Sequence, residues 1–166
     1  YGYSTAKRAI ETMVRAYNEQ YNTKYFCVIP CNVYGPYDNF SLTDGHVIPM
    51  LIHKCYIARE TNTPFEVWGD GSALREFIHS KDVADITSKL MKTDFTGSVI
   101  VSNPKEVSIK YLAETIAVLM DFKGEIKWLK DKPNGQHRKP SSIAKLESIL
   151  GPQTFTDFIE GLNDTI

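Results

Sequence analysis

The sequence predicts an α/β chain, on three observations. Apolar residues recur at helical spacing in several long segments, beginning with Ile10, Met13, Val14 and Tyr17. Between those segments lie short apolar runs of strand length, such as Tyr25–Ile29, Phe65–Trp68 and Ser98–Val101. Turn-forming residues punctuate the alternation, and the order helix, strand, helix, strand is the signature of a mixed α/β fold.

Residues 3 to 20 read as a helix, with Lys7, Arg8, Arg15 and Glu19 among its polar positions. The run Tyr25-Phe-Cys-Val-Ile29 reads as a strand buried on both faces. A loop rich in turn-formers and aromatics follows, Pro30-Cys-Asn-Val-Tyr-Gly-Pro-Tyr-Asp-Asn-Phe40. Residues 46 to 60 form a second helix with Ile48, Leu51, Ile52 and Cys55 on one side. Phe65 to Trp68 and Arg75 to Ile78 are short strands around the tight turn Gly69-Asp-Gly-Ser72. Ser80 is the expected N-cap of a helix to about Met91, with Asp82 in its first turn. Ser98 to Val101 is a strand, Ser108 caps a helix ending near Met120, and Glu125 to Leu129 is a further strand. A polar basic loop runs from Lys130 to Pro140, a helix near 142 to 150 stops at Gly151, and an amphipathic piece begins at Phe155.

Of the 166 residues, 42% are hydrophobic and 23% charged, with a formal net charge of −1, which is the balance of a soluble globular protein. Near-neutrality argues against a nucleic-acid or membrane-surface partner. No apolar run approaches the roughly 20 residues that span a bilayer. Cys27, Cys31 and Cys55 are odd in number and lack metal-ligand spacing, as expected of reduced thiols in a cytoplasmic protein with no metal site.

The chemistry begins at Tyr3 and Lys7. Four residues apart at a helix start, they share one face, and an ammonium there favours a phenolate. Such a pair suits proton transfer to a carbonyl oxygen during hydride transfer, although the spacing also arises by chance. Asn32, Gly35, Pro36, Asp38 and Asn39 follow a strand predicted to be parallel, where open α/β sheets place ligand crevices. Asn32 offers a donor and an acceptor for a ribose or sugar hydroxyl; the same stretch could equally be turn-making alone. On their own, His46 reads as a helix-start histidine, Trp68 as a core residue and Arg75 as a surface charge.

The segments Tyr3-Ser-Thr-Ala-Lys7, Pro30 to Phe40, Asp44-Gly-His-Val-Ile-Pro49, Trp68-Gly-Asp-Gly71 and Arg75-Glu-Phe-Ile-His79 occur in that order. Together they resemble the C-terminal half of the GDP-L-fucose synthase family, within the extended short-chain dehydrogenases/reductases. The resemblance runs over nearly the whole chain, through Val107-Ser-Ile-Lys110 and Lys132-Pro-Asn-Gly135. It implies the C-terminal part of a Rossmann-type domain, residues 1–45 and 75–102, and a small α/β substrate domain, residues 46–74 and 103–166. It also implies NADPH-dependent 3,5-epimerisation and 4-reduction of GDP-4-keto-6-deoxy-D-mannose, by a homodimer that binds a GDP-sugar.

By the same resemblance Tyr3 is the general acid at the C4 oxygen, and Lys7 supports it and binds the nicotinamide ribose. His46 is the epimerisation acid/base, a role suited to imidazole chemistry near neutrality. Lys7, Pro30, Cys31, Asn32, Val33 and His46 fall at cofactor-binding positions. Asn32, Lys54, Trp68, Arg75 and Asn134 fall at substrate-binding positions, Lys54 where relatives often carry arginine and Asn134 where they often carry aspartate. The family's glycine-rich dinucleotide loop and its catalytic serine and cysteine lie upstream of the catalytic tyrosine, so the chain is expected to be a fragment, inactive alone. Another nucleotide-sugar epimerase or dehydratase, or a non-catalytic sugar-nucleotide-binding module, are the alternatives.

Overall fold

Helix α1 (Gly2–Tyr21) leads into β1 (Phe26–Pro30) through a turn closed by Asn18, whose carboxamide donates to the Tyr25 carbonyl at 2.8 Å and accepts from the Tyr25 amide at 2.9 Å. The computed structural model describes residues 2–166. After β1 come β2 (Asn32–Tyr34), α2 (Val47–Thr61), β3 (Phe65–Trp68), β4 (Leu74–His79), α3 (Ser80–Leu90) and β5 (Gly97–Val101). The chain continues through β6 (Glu106–Ser108), α4 (Ile109–Leu119), β7 (Ile126–Leu129), α5 (Ala144–Leu150) and α6 (Phe158–Thr165).

β1 pairs in parallel with β5, from Phe26 opposite Gly97 to Pro30 opposite Val101. Cys31 carries that ladder one bond further, its amide donating to the Val101 carbonyl at 3.2 Å. The chain then changes neighbours: β2 runs parallel to β4, with Asn32 opposite Phe77, and β6 adds antiparallel to the other edge of β4. A separate parallel pair joins β3 to β7. The switch at Cys31 leaves the ends of β1 and β2 beside one another, the kind of position where α/β sheets bind ligands.

Two apolar cores flank this switch. One gathers Ile48, Leu51, Ile52 and Cys55 of α2 with Phe65, Val67, Phe77, Leu112, Ile116 and Leu162. The other joins Ile78, Ile86, Leu90, Val99 and Val101 with Ile143 and Leu146 of α5. Pro49 is accommodated in α2 because it stands in the first turn, where an amide has no helical acceptor. Gly161 lets α6 lie directly on Tyr34: a Cβ there would meet the Tyr34 hydroxyl oxygen at 2.3 Å.

Several expectations are corrected. Ser80 is not the cap of α3: His79 takes that position, its Nδ1 accepting from the Lys81 amide at 3.4 Å. Ser108 does cap α4, accepting from the Tyr111 amide at 3.0 Å. The stretch from Pro30 is not wholly loop, because residues 32–34 form β2. β1 is not buried on both faces; Ile29 and Pro30 are exposed. Nor does α1 bury its apolar residues, since none of its twenty is buried.

Candidate active site

A cleft of about 1310 Å³ opens at the ends of β1 and β2. Helix α1 forms one wall with Tyr3, Ser4 and Lys7, and residues 26–38 form the floor. His46 and Val47, at the start of α2, close another side, and Arg75 and Ser80 complete the lining. The cleft therefore brings together Tyr3, Lys7, Pro30, Cys31, Asn32, Val33, His46 and Arg75, residues that span 73 positions of sequence.

Tyr3 is 79% exposed, and the Lys7 ammonium sits 5.4 Å from its ring centroid. One helical turn puts them there, as the spacing predicts. His46 stands at the N-cap of α2 in extended backbone, yet its imidazole makes no capping bond. Its carbonyl accepts from the Met50 amide at 3.0 Å, so the backbone starts the helix and the exposed ring remains available to the cleft. Asn32 donates from Nδ2 to the Glu76 carbonyl at 2.7 Å, which fixes the carboxamide and leaves its oxygen as the acceptor. Burial pushes the Cys31 thiol up, as does the nearby Glu76 carboxylate, against a lowering hydrogen bond with Ser102. Cys31 is thus a neutral wall residue at physiological pH.

The other predicted substrate residues form a second cluster beside the cleft. Trp68, at the end of β3, is 54% exposed and not a core residue. The Lys54 ammonium lies 5.2 Å from its ring centroid, and burial of that amine pushes it below the usual lysine range, opposed by Glu66. Asn134 is turned toward the Gly69–Asp70 turn and accepts from the Asp70 amide at 2.8 Å. Gly69 has φ +79°, and a Cβ there would lie 1.8 Å from the Asn134 oxygen, so the turn and the asparagine fit only with glycine. That oxygen accepts from the backbone, so Asn134 braces the turn behind Trp68. Arg75 links the two clusters: it lines the cleft, and its Nη2 lies 3.4 Å from the Cβ position of Gly135.

Residues that sequence reasoning missed include Glu76, buried behind Arg75, and Ser80, which lines the cleft from the first turn of α3. Among the described residues no cluster of histidine, cysteine or acidic side chains could hold a metal ion, and no helix is long and apolar enough to cross a membrane.

Comparison with known proteins shows what the chain and its fold are similar to. A GDP-L-fucose synthase of Dictyostelium discoideum is 41% identical over 99% of this chain and 52% of its own length. The GDP-L-fucose synthase of Escherichia coli K12 is 33% identical over 89% of this chain and 49% of its own. A crystal structure of a GDP-L-fucose synthetase from Naegleria fowleri bound to NADP superposes with a TM-score of 0.93 at 35% identity, covering 98% of this chain and 51% of that one. The chain spans about half the length of the curated relatives it matches. The model of the NAD dependent epimerase/dehydratase family matches residues 1–101, which hold the tyrosine–lysine helix, the cleft floor and His46; to that family this chain belongs.

Proposed function

We propose that the chain is the substrate-binding half of a GDP-L-fucose synthase, which converts GDP-4-keto-6-deoxy-D-mannose to GDP-L-fucose with NADPH. The observation that carries this is the meeting of Tyr3, Lys7 and His46 around one cleft at the ends of β1 and β2. The GDP-L-fucose synthases among its relatives support the substrate, and the NADP-bound neighbour supports the cofactor. The exposed Tyr3 hydroxyl, the Lys7 ammonium and the strand ends at Pro30 to Val33 suit a nicotinamide riboside, whose hydroxyls need both donors and acceptors.

NADPH, when bound, supplies the hydride to C4. Tyr3 gives its hydroxyl proton to the C4 oxygen, so the ketone becomes an alcohol. Lys7 places positive charge beside the phenolate that remains and holds a ribose hydroxyl. In the earlier epimerisations, removal of a proton beside the C4 ketone leaves an enolate. His46 acts there by returning a proton to carbon, with a partner base supplied from outside these 166 residues. Lys54, Trp68 and Arg75 face the nucleotide and its diphosphate, Trp68 by stacking and Arg75 by a two-pronged hydrogen bond. Asn134 contributes by holding the Gly69–Asp70 turn.

We divide the chain into Rossmann residues 1–45 and 75–102 and substrate-domain residues 46–74 and 103–166, with α5 packed on the core of the former. We also place the enzyme in the cytoplasm as a homodimer. The free Cys27, Cys31 and Cys55 support the compartment, and the exposed apolar residues of α1 support the dimer.

The test is His46→Asn in the full-length gene product. Deuterium uptake from solvent at C3 and C5 is expected to fall by about 100-fold, the scale of general acid–base catalysis, while 4-reduction of a pre-epimerised substrate persists. Unchanged uptake would sink the epimerase assignment. Tyr3→Phe should show the reverse, with exchange retained and NADPH oxidation lost.

A further inference from the structure

We propose that Glu76 is a positioning residue that fixes the basic loop 130–140 against the cleft wall. Alternation along β4 points Arg75 toward the cleft and Glu76 inward, where it is 3% exposed. Its Oε2 accepts from the Ser102 hydroxyl at 2.6 Å and from the Ser141 hydroxyl, and its Oε1 accepts from the Ser141 amide at 2.9 Å. Its own carbonyl accepts from Asn32 at 2.7 Å. One residue thus joins the cleft floor, the end of β5 and the end of the loop.

No lysine or arginine forms an ion pair with this carboxylate among the described residues. A buried carboxylate costs free energy unless hydrogen bonds satisfy it, and here hydroxyls and an amide do so. Its place is explained by what it holds. Every residue from 131 to 140 is exposed, so the loop has little apolar packing to fix its path. It is held instead by polar ties: the Leu74 amide donates to the His137 carbonyl at 2.8 Å, and Arg138 grips Glu106 through Nε at 2.8 Å to both oxygens. Ser141 on Glu76 is the tie nearest the core. The same loop carries Asn134 against the turn behind Trp68 and Gly135 against Arg75. If Ser141 is released, the loop can slide along Arg75, and the Trp68 turn loses its brace.

The choice of ligand rests on the proposed GDP-sugar substrate; the anchoring does not. GDP binding is measured by titration calorimetry for the full-length gene product and for its Glu76→Ala and Glu76→Gln variants, alongside trypsin cleavage after Lys130 and Arg138 under native conditions. Glu76→Ala should weaken GDP binding about tenfold and speed loop cleavage by a similar factor, the scale of a lost anchoring hydrogen bond to a charged group. Glu76→Gln should stay within about threefold on both readouts, because the two serine hydroxyls can reverse their bonds and donate or accept as the amide requires. Unchanged cleavage and affinity in Glu76→Ala would overturn the proposal. So would a Glu76→Gln chain as weak as Glu76→Ala, since that would trace the effect to charge rather than placement. If Glu76→Ala does not fold, Ser141→Ala replaces it, with faster loop cleavage expected and unaltered cleavage overturning the anchor. Should the unmodified full-length gene product fail to bind GDP, the substrate class is wrong, and the cleavage comparison alone decides the role of Glu76.

Discussion

Lys54 shows how much of a site residue can be read before its surroundings are known. The motif after Val47-Ile-Pro49 marks it as a basic position, but only packing reveals that its amine is half-buried beside Trp68. Burial lowers its titration point from the usual 10.5, opposed by Glu66. The sign of the consequence follows: the ammonium that would meet a diphosphate is present below the lowered value and is lost as pH rises through it. GDP affinity should therefore decline on the alkaline side earlier than a solvent-exposed lysine would dictate. Lys54→Arg keeps its charge throughout and should carry the alkaline limb to higher pH. Titrations of both chains between pH 7 and pH 10 decide this, since ionisation of the ligand itself is common to both. Superimposable limbs would remove Lys54 from the diphosphate contact. Asn134 teaches the converse. Its residue type advertises a hydroxyl partner, and nothing local announces that its oxygen also accepts from the Asp70 amide, 64 positions away.

At the level of elements, the segments with strong periodicity or a sharp boundary residue were legible, and those made by pairing were not. Ser108 caps α4 because its hydroxyl is followed at once by a helical run, a local arrangement that sequence displays. His79 displaces Ser80 as the cap of α3 because β4 continues through His79, one residue beyond the expected strand end. β2 and β6 are three residues each and exist through β4, which pairs with both; no three-residue pattern carries that information. The seat of α6 is likewise a tertiary matter. Gly161 looks like a poor helix residue, worth about 1 kcal/mol less than alanine in isolation. Here the missing side chain is what admits Tyr34, so Gly161→Ala should destabilise the chain by about 1–3 kcal/mol through overpacking. Tyr34→Phe removes the hydroxyl oxygen that the new methyl would strike, leaving the ring carbon at 3.1 Å as the next obstacle. Urea unfolding of the two single variants and the double should show Tyr34→Phe recovering at least half of the loss. Simple additivity would mean that α6 shifts bodily instead of pressing on Tyr34.

For the whole molecule, α1 poses the question of what covers it. Its sequence has the periodicity of a helix packed along one stripe, yet Ile10, Met13, Tyr17 and Tyr21 are all more than 45% exposed. Polar ties hold it where apolar burial does not: Glu11 accepts from Ser98 at 2.7 Å, and Asn18 closes the turn into β1. Tyr17 and Tyr21 lie 5.3 Å apart between ring centroids, extending the apolar surface toward the helix end. An exposed apolar stripe along a helix marks a contact, and a second copy of the protein is the partner the proposed homodimer supplies. Charge placed in the middle of the stripe should therefore oppose association, because a carboxylate buried between two helices has no counter-ion there. In the full-length gene product, Met13→Glu with Tyr17→Glu is expected to move the sedimentation profile from dimer to monomer. The cleft lining of α1 is not altered by these changes, since Tyr3, Lys7, Ile10 and Val14 face the cleft and Met13 and Tyr17 do not line it. A double variant that still sediments as a dimer would place the subunit contact elsewhere. One that dissociates but keeps GDP affinity would show that the Lys54, Trp68 and Arg75 cluster is complete within one copy.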